Sequence, residues 1–480
     1  MDHRGQIGHL DHTGHAAHDT NTASALRRHW RWVVGGLAGA AALTLGAIGV
    51  ADAVISSPRT LWSTQFGTSE VDLAAAVAAA PNGDIYVYGQ TGGEVETGTD
   101  GTDTDVFLAR YDKSGSRKWI RQLGTTGDDF PANQIAVAPN GDVYIAGTAG
   151  AEAEFPQNAS EGGQDIFIAK YNKEGSLRWV RQWGADADDQ AYGIARSSTG
   201  DLYVAVETTS VLLDGSRPPN SYVGKMDSAL VKFNRDGRFQ WANQFGTAED
   251  DWVWGVTVSA QNEIYVAGTT YADLDGVGDQ VFNGSDVTKG DGFLIRFDRN
   301  GSRKWLRQFG TTEDDQFYGV ATNRTGDVFV SGFTSGEMVT DQDKGGTDGV
   351  VLKYSKEGTL RWGNQHGSPA DDFGWSISIA RNGRISVGGY TTGAMDTYTN
   401  AGDEDVYTAR ISTDGLAVSY RQFGTAARDG GRLDDDTYSV YGSPVVVAPN
   451  GTMVVVGTTE GATWGLRHAG AADVFVTVIP

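Results

Sequence analysis

From residue 60 onward, apolar and polar side chains alternate in short runs bounded by Gly, Asn, Asp and Ser. In "NGDIYVYG", "NGDVYIAG" and "GDVFVSG" an apolar residue recurs at every second position just after a turn. A period of two predicts strands, and the turn residues supply the positive φ that tight hairpins demand. Another class of run is almost wholly apolar and begins at an aspartate: "DVFLARY", "DIFIAKY", "DGFLIRF", "DGVVLKY", "DVYTARI" and "DVFVTVI". Short, continuously apolar runs of this kind predict strands covered on both faces. No helical pattern falls between them.

These strands belong to a repeat. A phrase built on Trp, Gln and Gly recurs as "WSTQFG", "WIRQLG", "WVRQWG", "WANQFG", "WLRQFG" and "WGNQHG", and the last copy, "SYRQFG", has lost the tryptophan. Its glutamines are Gln65, Gln122, Gln182, Gln244, Gln308, Gln365 and Gln422, spaced 57 to 64 residues apart. Each unit reads as four strands, so seven units predict an all-β, seven-bladed β-propeller over 54–480. The chain opens on a lone tryptophan strand at 61–66 and finishes on a third strand, "DVFVTVI". Strand 61–66 is therefore expected to complete the last blade and close the ring, which removes two exposed sheet edges. An open solenoid would leave both leftover strands unpaired.

The combination of "PNGDVYIAGT", "GGQDIFIAKYNKEGSLRWVRQWG" and "DDQAYGIA" resembles the SBBP-type β-propeller repeats of exported bacterial and archaeal proteins. The resemblance covers about 60–480. It implies a propeller and an exported or surface location, and it implies partner binding without naming a ligand.

Composition narrows the chemistry. Glycine accounts for 66 of 480 residues and cysteine for none, which excludes disulfides, thiolate zinc sites and cysteine nucleophiles. Formal charge is −23, and residues 1–53 contribute equal numbers of acids and bases, so the acidity belongs to the body. A binder that tracks nucleic-acid phosphates needs the opposite sign, so no nucleic acid is expected as partner. Cations, neutral glycans and proteins fit better.

The N-terminus divides in two. Residues 1–26 form a His-rich leader with His3, His9, His12, His15 and His18, too poor in apolar residues to fold. In 27–53, Arg27, Arg28 and Arg31 precede the uncharged run "VVGGLAGAAALTLGAIGVA" at 33–51. Such a segment is long enough to cross a bilayer, and "ADA" follows it at 51–53. It reads either as a cleaved export signal, similar to the twin-arginine type, or as a transmembrane anchor. Both place the body outside the cytoplasm.

Candidate sites come from agreements and departures among units. The acidic doublet of "GTTEDDQFYG" recurs as Asp128–Asp129, Asp188–Asp189, Asp250–Asp251, Asp314–Asp315 and Asp371–Asp372. A catalytic dyad is needed once, whereas Asp129, Asp189, Asp251, Asp315 and Asp372 recur, which favours a fold element that accepts backbone N–H groups between blades. Calcium ligation and catalysis are the other two readings. The acidic loops place Asp100, Asp103 and Asp105, and Asp273, Asp275 and Asp279, at ligand-like spacing for Ca2+, although no EF-hand loop is present. Trp119, Trp179, Trp241, Trp305 and Trp362 read as structural positions on outer strands.

Eight residues before the turn glycine (Asn262 in the fourth unit) stand Ala75, Asn133, Tyr192, Trp254, Tyr318, Trp375 and Ser443. Tyr192, Trp254, Tyr318 and Trp375 would form an off-centre aromatic patch if they point to the axis, suited to a glycan or protein ligand. Packing between blades is the alternative. Two functions follow: an exported non-enzymatic binding module with calcium as its candidate cofactor, or a propeller enzyme such as a hydrolase, lyase or quinone-dependent dehydrogenase. His366 and His468 are the histidines left in the body, and neither belongs to a recognisable catalytic motif.

Overall fold

A computed structural model describes residues 60–96, 103–151, 153–155, 162–212, 224–274, 288–416, 418–430 and 444–480. The leader 1–26 and the segment 27–53 lie outside the described residues. Among the described residues no helix is long and apolar enough to cross a membrane.

The strands form seven four-stranded antiparallel sheets, the blades of an all-β propeller. Blade 4 shows the plan: Asp251–Val258, Ile264–Thr270, Asp291–Phe297 and Arg303–Phe309 pair in that order. Its second strand is buried along its whole length, because a neighbouring blade covers each face. Phe293 is fully buried, and a Cβ on Gly268 would lie 2.5 Å from its ring and 2.0 Å from the Trp252 carbonyl oxygen. Glycine there leaves the ring its space, and burying such a ring contributes roughly 1.5–3 kcal/mol.

Strand direction alternates, so the tight turns after the first and third strands share one face, here the turn face. The longer loops after the second strand and the passages between blades share the other, the crossing face. The first turns carry the positive φ expected of them, for example 93° at Gly326 and 58° at Asn262.

Blade 7 is assembled from both ends of the body. Trp62–Phe66 pairs with Asp473–Ile479, with Trp62 opposite Val478 and Gln65 opposite Phe475. This blade consequently has no turn between its third and fourth strands, which explains the lost tryptophan. Each outer-strand tryptophan reaches the third turn of the next blade: Trp119 Nε1 donates to the Lys173 carbonyl at 3.0 Å, and Trp305 Nε1 to that of Lys356 at 2.9 Å. Ser419 holds this position in blade 6, opposite Arg410 as Trp305 is opposite Arg296, and the next blade lacks such a turn. Arg410 of blade 6 instead donates to the carbonyl of Pro480.

Candidate functional site

The acidic doublets sit at the crossings between blades. Asp315 Oδ2 accepts from the backbone N–H of Thr311 at 2.5 Å and from its hydroxyl at 2.9 Å. Asp129, Asp251, Asp372 and Asp429 repeat both bonds, and Asp189 keeps the backbone bond to Ala185. Asp314 Oδ1 accepts from the Gly290 N–H at 2.9 Å, and Asp128 and Asp371 do the same toward Thr104 and Thr347. The seventh crossing places Asp429 in the recurrent position and Arg428 where the preceding acid would stand.

A second ring of aspartates opens the third strands. Gln308 Nε2 donates to Asp291 Oδ2 at 3.1 Å, while Gln308 Oε1 accepts from the Leu274 N–H at 2.9 Å and so holds the preceding loop. The glycine after Phe309 lies between both aspartates: a Cβ on Gly310 would be 2.1 Å from Asp291 Oδ1 and 3.1 Å from Asp315 Oδ2. Burial and the neighbouring carboxylate push Asp129, Asp189, Asp251 and Asp315 up to about 7, burial being the larger cause.

The aromatic positions have a common backbone origin. Val253 pairs with Gly268 and Gly255 with Ala267, which leaves Trp254 as the extra residue of a β-bulge. Ala75, Tyr192, Tyr318 and Trp375 occupy the same bulge in their blades. In blade 2 the slip widens from Pro131 to Ile135 and contains Asn133. A bulged residue leaves the ladder and is re-aimed, so its side chain can vary without breaking the sheet.

The structure brings all four predicted aromatics together. Ring centroids are 5.1 Å apart for Tyr192–Trp254, 5.1 Å for Trp254–Tyr318 and 3.8 Å for Tyr318–Trp375. The indoles are buried at 9% exposure, while both tyrosines are half-buried. Tyr192 donates its hydroxyl to Gln190 at 2.8 Å and Tyr318 to Gln316 at 2.6 Å. Phe333 and Tyr390 thicken the arc in blades 5 and 6. Trp254, Tyr318 and Trp375 line an axial cavity of about 340 Å³ formed by the first strands of all seven blades. Asn133, Gln134 and Arg196 add polar groups to its lining.

Two members of this site escaped the sequence reading. Gln134 accepts from the Val256 N–H at 3.1 Å, so blade 2 reaches blade 4 past Gly193 of blade 3. Glu207 accepts from the Val253 N–H at 3.0 Å and is almost wholly buried beside Tyr192; burial pushes its carboxyl well above the usual range. Its repeat position holds Gln90, Thr148, Thr269, Phe333, Tyr390 or Thr458 in the other blades, so a lone acid at this place was a legible signal.

Of the metal candidates, Asp100, Asp275 and Asp279 lie outside the described residues. Asp105 accepts from Gln122 Nε2 at 2.7 Å, which makes it a member of the recurrent third-strand ring. Asp103 and Asp273 occupy loops of blades 1 and 4, and among the described residues no three His, Cys, Asp or Glu side chains converge on a common point. His366 is buried against Tyr407 and Tyr420, with burial lowering its pKa to about 4. Two departures from the repeat, His366 and Tyr420, thus pack on each other.

No family model matches the chain. It is similar to the regulatory protein FlaEY of Caulobacter vibrioides, 24% identical in an alignment of 382 residues that covers 71% of this chain and 39% of the relative. An uncharacterized WD repeat-containing protein of Acanthamoeba polyphaga mimivirus is 19% identical over 56% of this chain and 25% of its own length. The chain therefore spans well under half of either relative. Among solved structures, the Pan2 WD40 domain of Neurospora crassa covers 89% of this chain and 97% of its own, at 10% identity and a TM-score of 0.46. The β-propeller domain of the Pyrococcus furiosus Trilobed protease covers 88% and 94%, at 8% identity and a TM-score of 0.44.

Proposed function

We propose that this chain is an exported or surface-displayed, non-enzymatic β-propeller binding module of the SBBP-like kind, with a glycan or exposed protein group as its ligand. In this reading the strand pairing of blade 7 closes the ring, and segment 27–53 delivers or anchors the body. The observation that supports it is the unbroken contact of Tyr192, Trp254, Tyr318 and Trp375 across four blades. Rings that leave the ladder at bulges offer flat faces, and the Gln190 and Gln316 amides beside them offer hydrogen bonds. On a glycan array, Trp254→Ala and Trp375→Ala should each lower binding by about tenfold. Unchanged binding by both folded variants would sink the proposal.

The enzyme reading draws on one residue. Glu207 keeps a buried, proton-holding carboxyl beside the Tyr192 hydroxyl, the environment of a general acid. A polysaccharide-degrading activity abolished by Glu207→Gln, with glycan binding retained, would favour it.

A further inference from the structure

The net charge of the body conceals a segregation. On the crossing face the exposed charges are largely acidic, as at Glu70, Asp186, Glu313, Asp371 and Glu460. The turn face is the reverse. The third turns carry a cation at the same position in five blades, Lys113, Lys173, Arg235, Arg299 and Lys356, and all five are exposed. The residue before the outer-strand tryptophan adds Lys118, Arg178, Lys304 and Arg361, also exposed.

Apolar side chains obey the same division. Among the described residues the large exposed hydrophobics are Leu61, Leu177, Leu360 and Leu416, at 55%, 44%, 52% and 81% exposure. All four lie on the turn face: Leu177 and Leu360 begin outer strands, Leu416 stands in a third turn, and Leu61 precedes the strand Trp62–Phe66. The chain also enters the propeller here, where the Leu61 N–H donates to the Val478 carbonyl at 2.7 Å. The uncharged run ends at residue 51, so the connection to Thr60 spans at most roughly 30 Å.

We infer that the turn face docks on an anionic lipid bilayer, holding the acidic crossing face and its aromatic arc away from the membrane. Cations interspersed with exposed leucines match a headgroup layer in which phosphates lie over acyl chains. A short tether from a membrane segment would deliver the body with this face toward the lipid. The inference rests on the anchored form of the proposed module, and the two are tested separately.

The absence of cysteine permits single labels on the full chain. Asn300→Cys marks the turn face and Ser69→Cys the crossing face. Each labelled chain is reconstituted into neutral phosphatidylcholine vesicles, or into vesicles with about one third phosphatidylglycerol, and energy transfer to a lipid-borne acceptor is measured. Co-flotation with neutral vesicles reports anchoring, and its loss would count against the anchor alone. Docking predicts that the Asn300→Cys label shows higher transfer in anionic vesicles, that the Ser69→Cys label stays low, and that about 1 M salt abolishes the difference.

Combining Lys113→Glu, Arg178→Glu, Arg299→Glu and Arg361→Glu should lower the docked-to-free ratio by on the order of a hundredfold. Leu177→Ser with Leu360→Ser and Leu416→Ser keeps every cation and should lower it less. Equal transfer from both labels, or no dependence on lipid charge, would overturn the inference. So would binding of double-stranded DNA in preference to the anionic vesicles, which would assign the face to nucleic acid.

Discussion

The crossing face and the turn face are written by the same repeat, yet they hold the blades together with different chemistry. At each crossing, buried aspartates accept backbone N–H groups and a glutamine ties the preceding loop to the next strand. At six third turns a tryptophan of the preceding blade lies on the hairpin glycine, and Trp62, Trp119 and Trp305 also donate to a carbonyl there. Buried carboxylates are costly unless partnered, so the crossing face is intolerant of small changes and sensitive to protons. The turn latch is half-exposed and mostly apolar, so its parts are separately replaceable. That freedom allows surface cations and leucines to accumulate around it.

The largest test of this contrast is pH, because it acts at every crossing at once. Asp129, Asp189, Asp251 and Asp315 are raised from 3.8 to about 7, and Asp348 and Asp429 to about 6. The folded state therefore keeps protons that the unfolded chain releases near pH 4, and stability should fall as pH rises from there to about 7. His366, lowered to about 4, opposes this as a single group, losing stability as pH falls below 6.5. The melting temperature should be higher at pH 5.5 than at pH 8, and a flat or rising profile would refute the buried-proton account.

Next in size is Gly310→Ala, which must displace a carboxylate already held by Gln308, at a cost of about 3 kcal/mol. Urea unfolding would measure it, and a change under about 0.5 kcal/mol would show that the crossing yields easily. Smaller still is Trp305→Leu on the turn face. It gives up the bond to the Lys356 carbonyl and part of an apolar contact, for about 1–2 kcal/mol. If this variant proved the more damaging of the two, the ranking of the faces would be reversed.

The legibility of the sequence followed the range of each interaction. Strand alternation, turn glycines and the 57 to 64-residue period are local or repeated, and they predicted blade number and strand order without any contact information. The aromatic departures at Tyr192, Trp254, Tyr318 and Trp375 were visible for the same reason, since a repeat makes each exception stand out. Their bulge was not visible, because an extra residue shows only against the partner strand. Glu207 is less legible because its second-strand position varies among Gln, Thr, Phe and Tyr in the other blades, and its bond to the Val253 N–H is made across blades. The missing tryptophan of the last copy could not be interpreted until blade 7 was seen to lack a third turn.

Sequence alone thus determined the repeating unit, its turns and the residues that break its symmetry, because backbone preference and hydrophobic period act between near neighbours. Tertiary structure decided which side chains meet across blades. It also sorted a single net charge of −23 into an acidic face and a cationic one, because antiparallel strands send alternate connections to opposite ends.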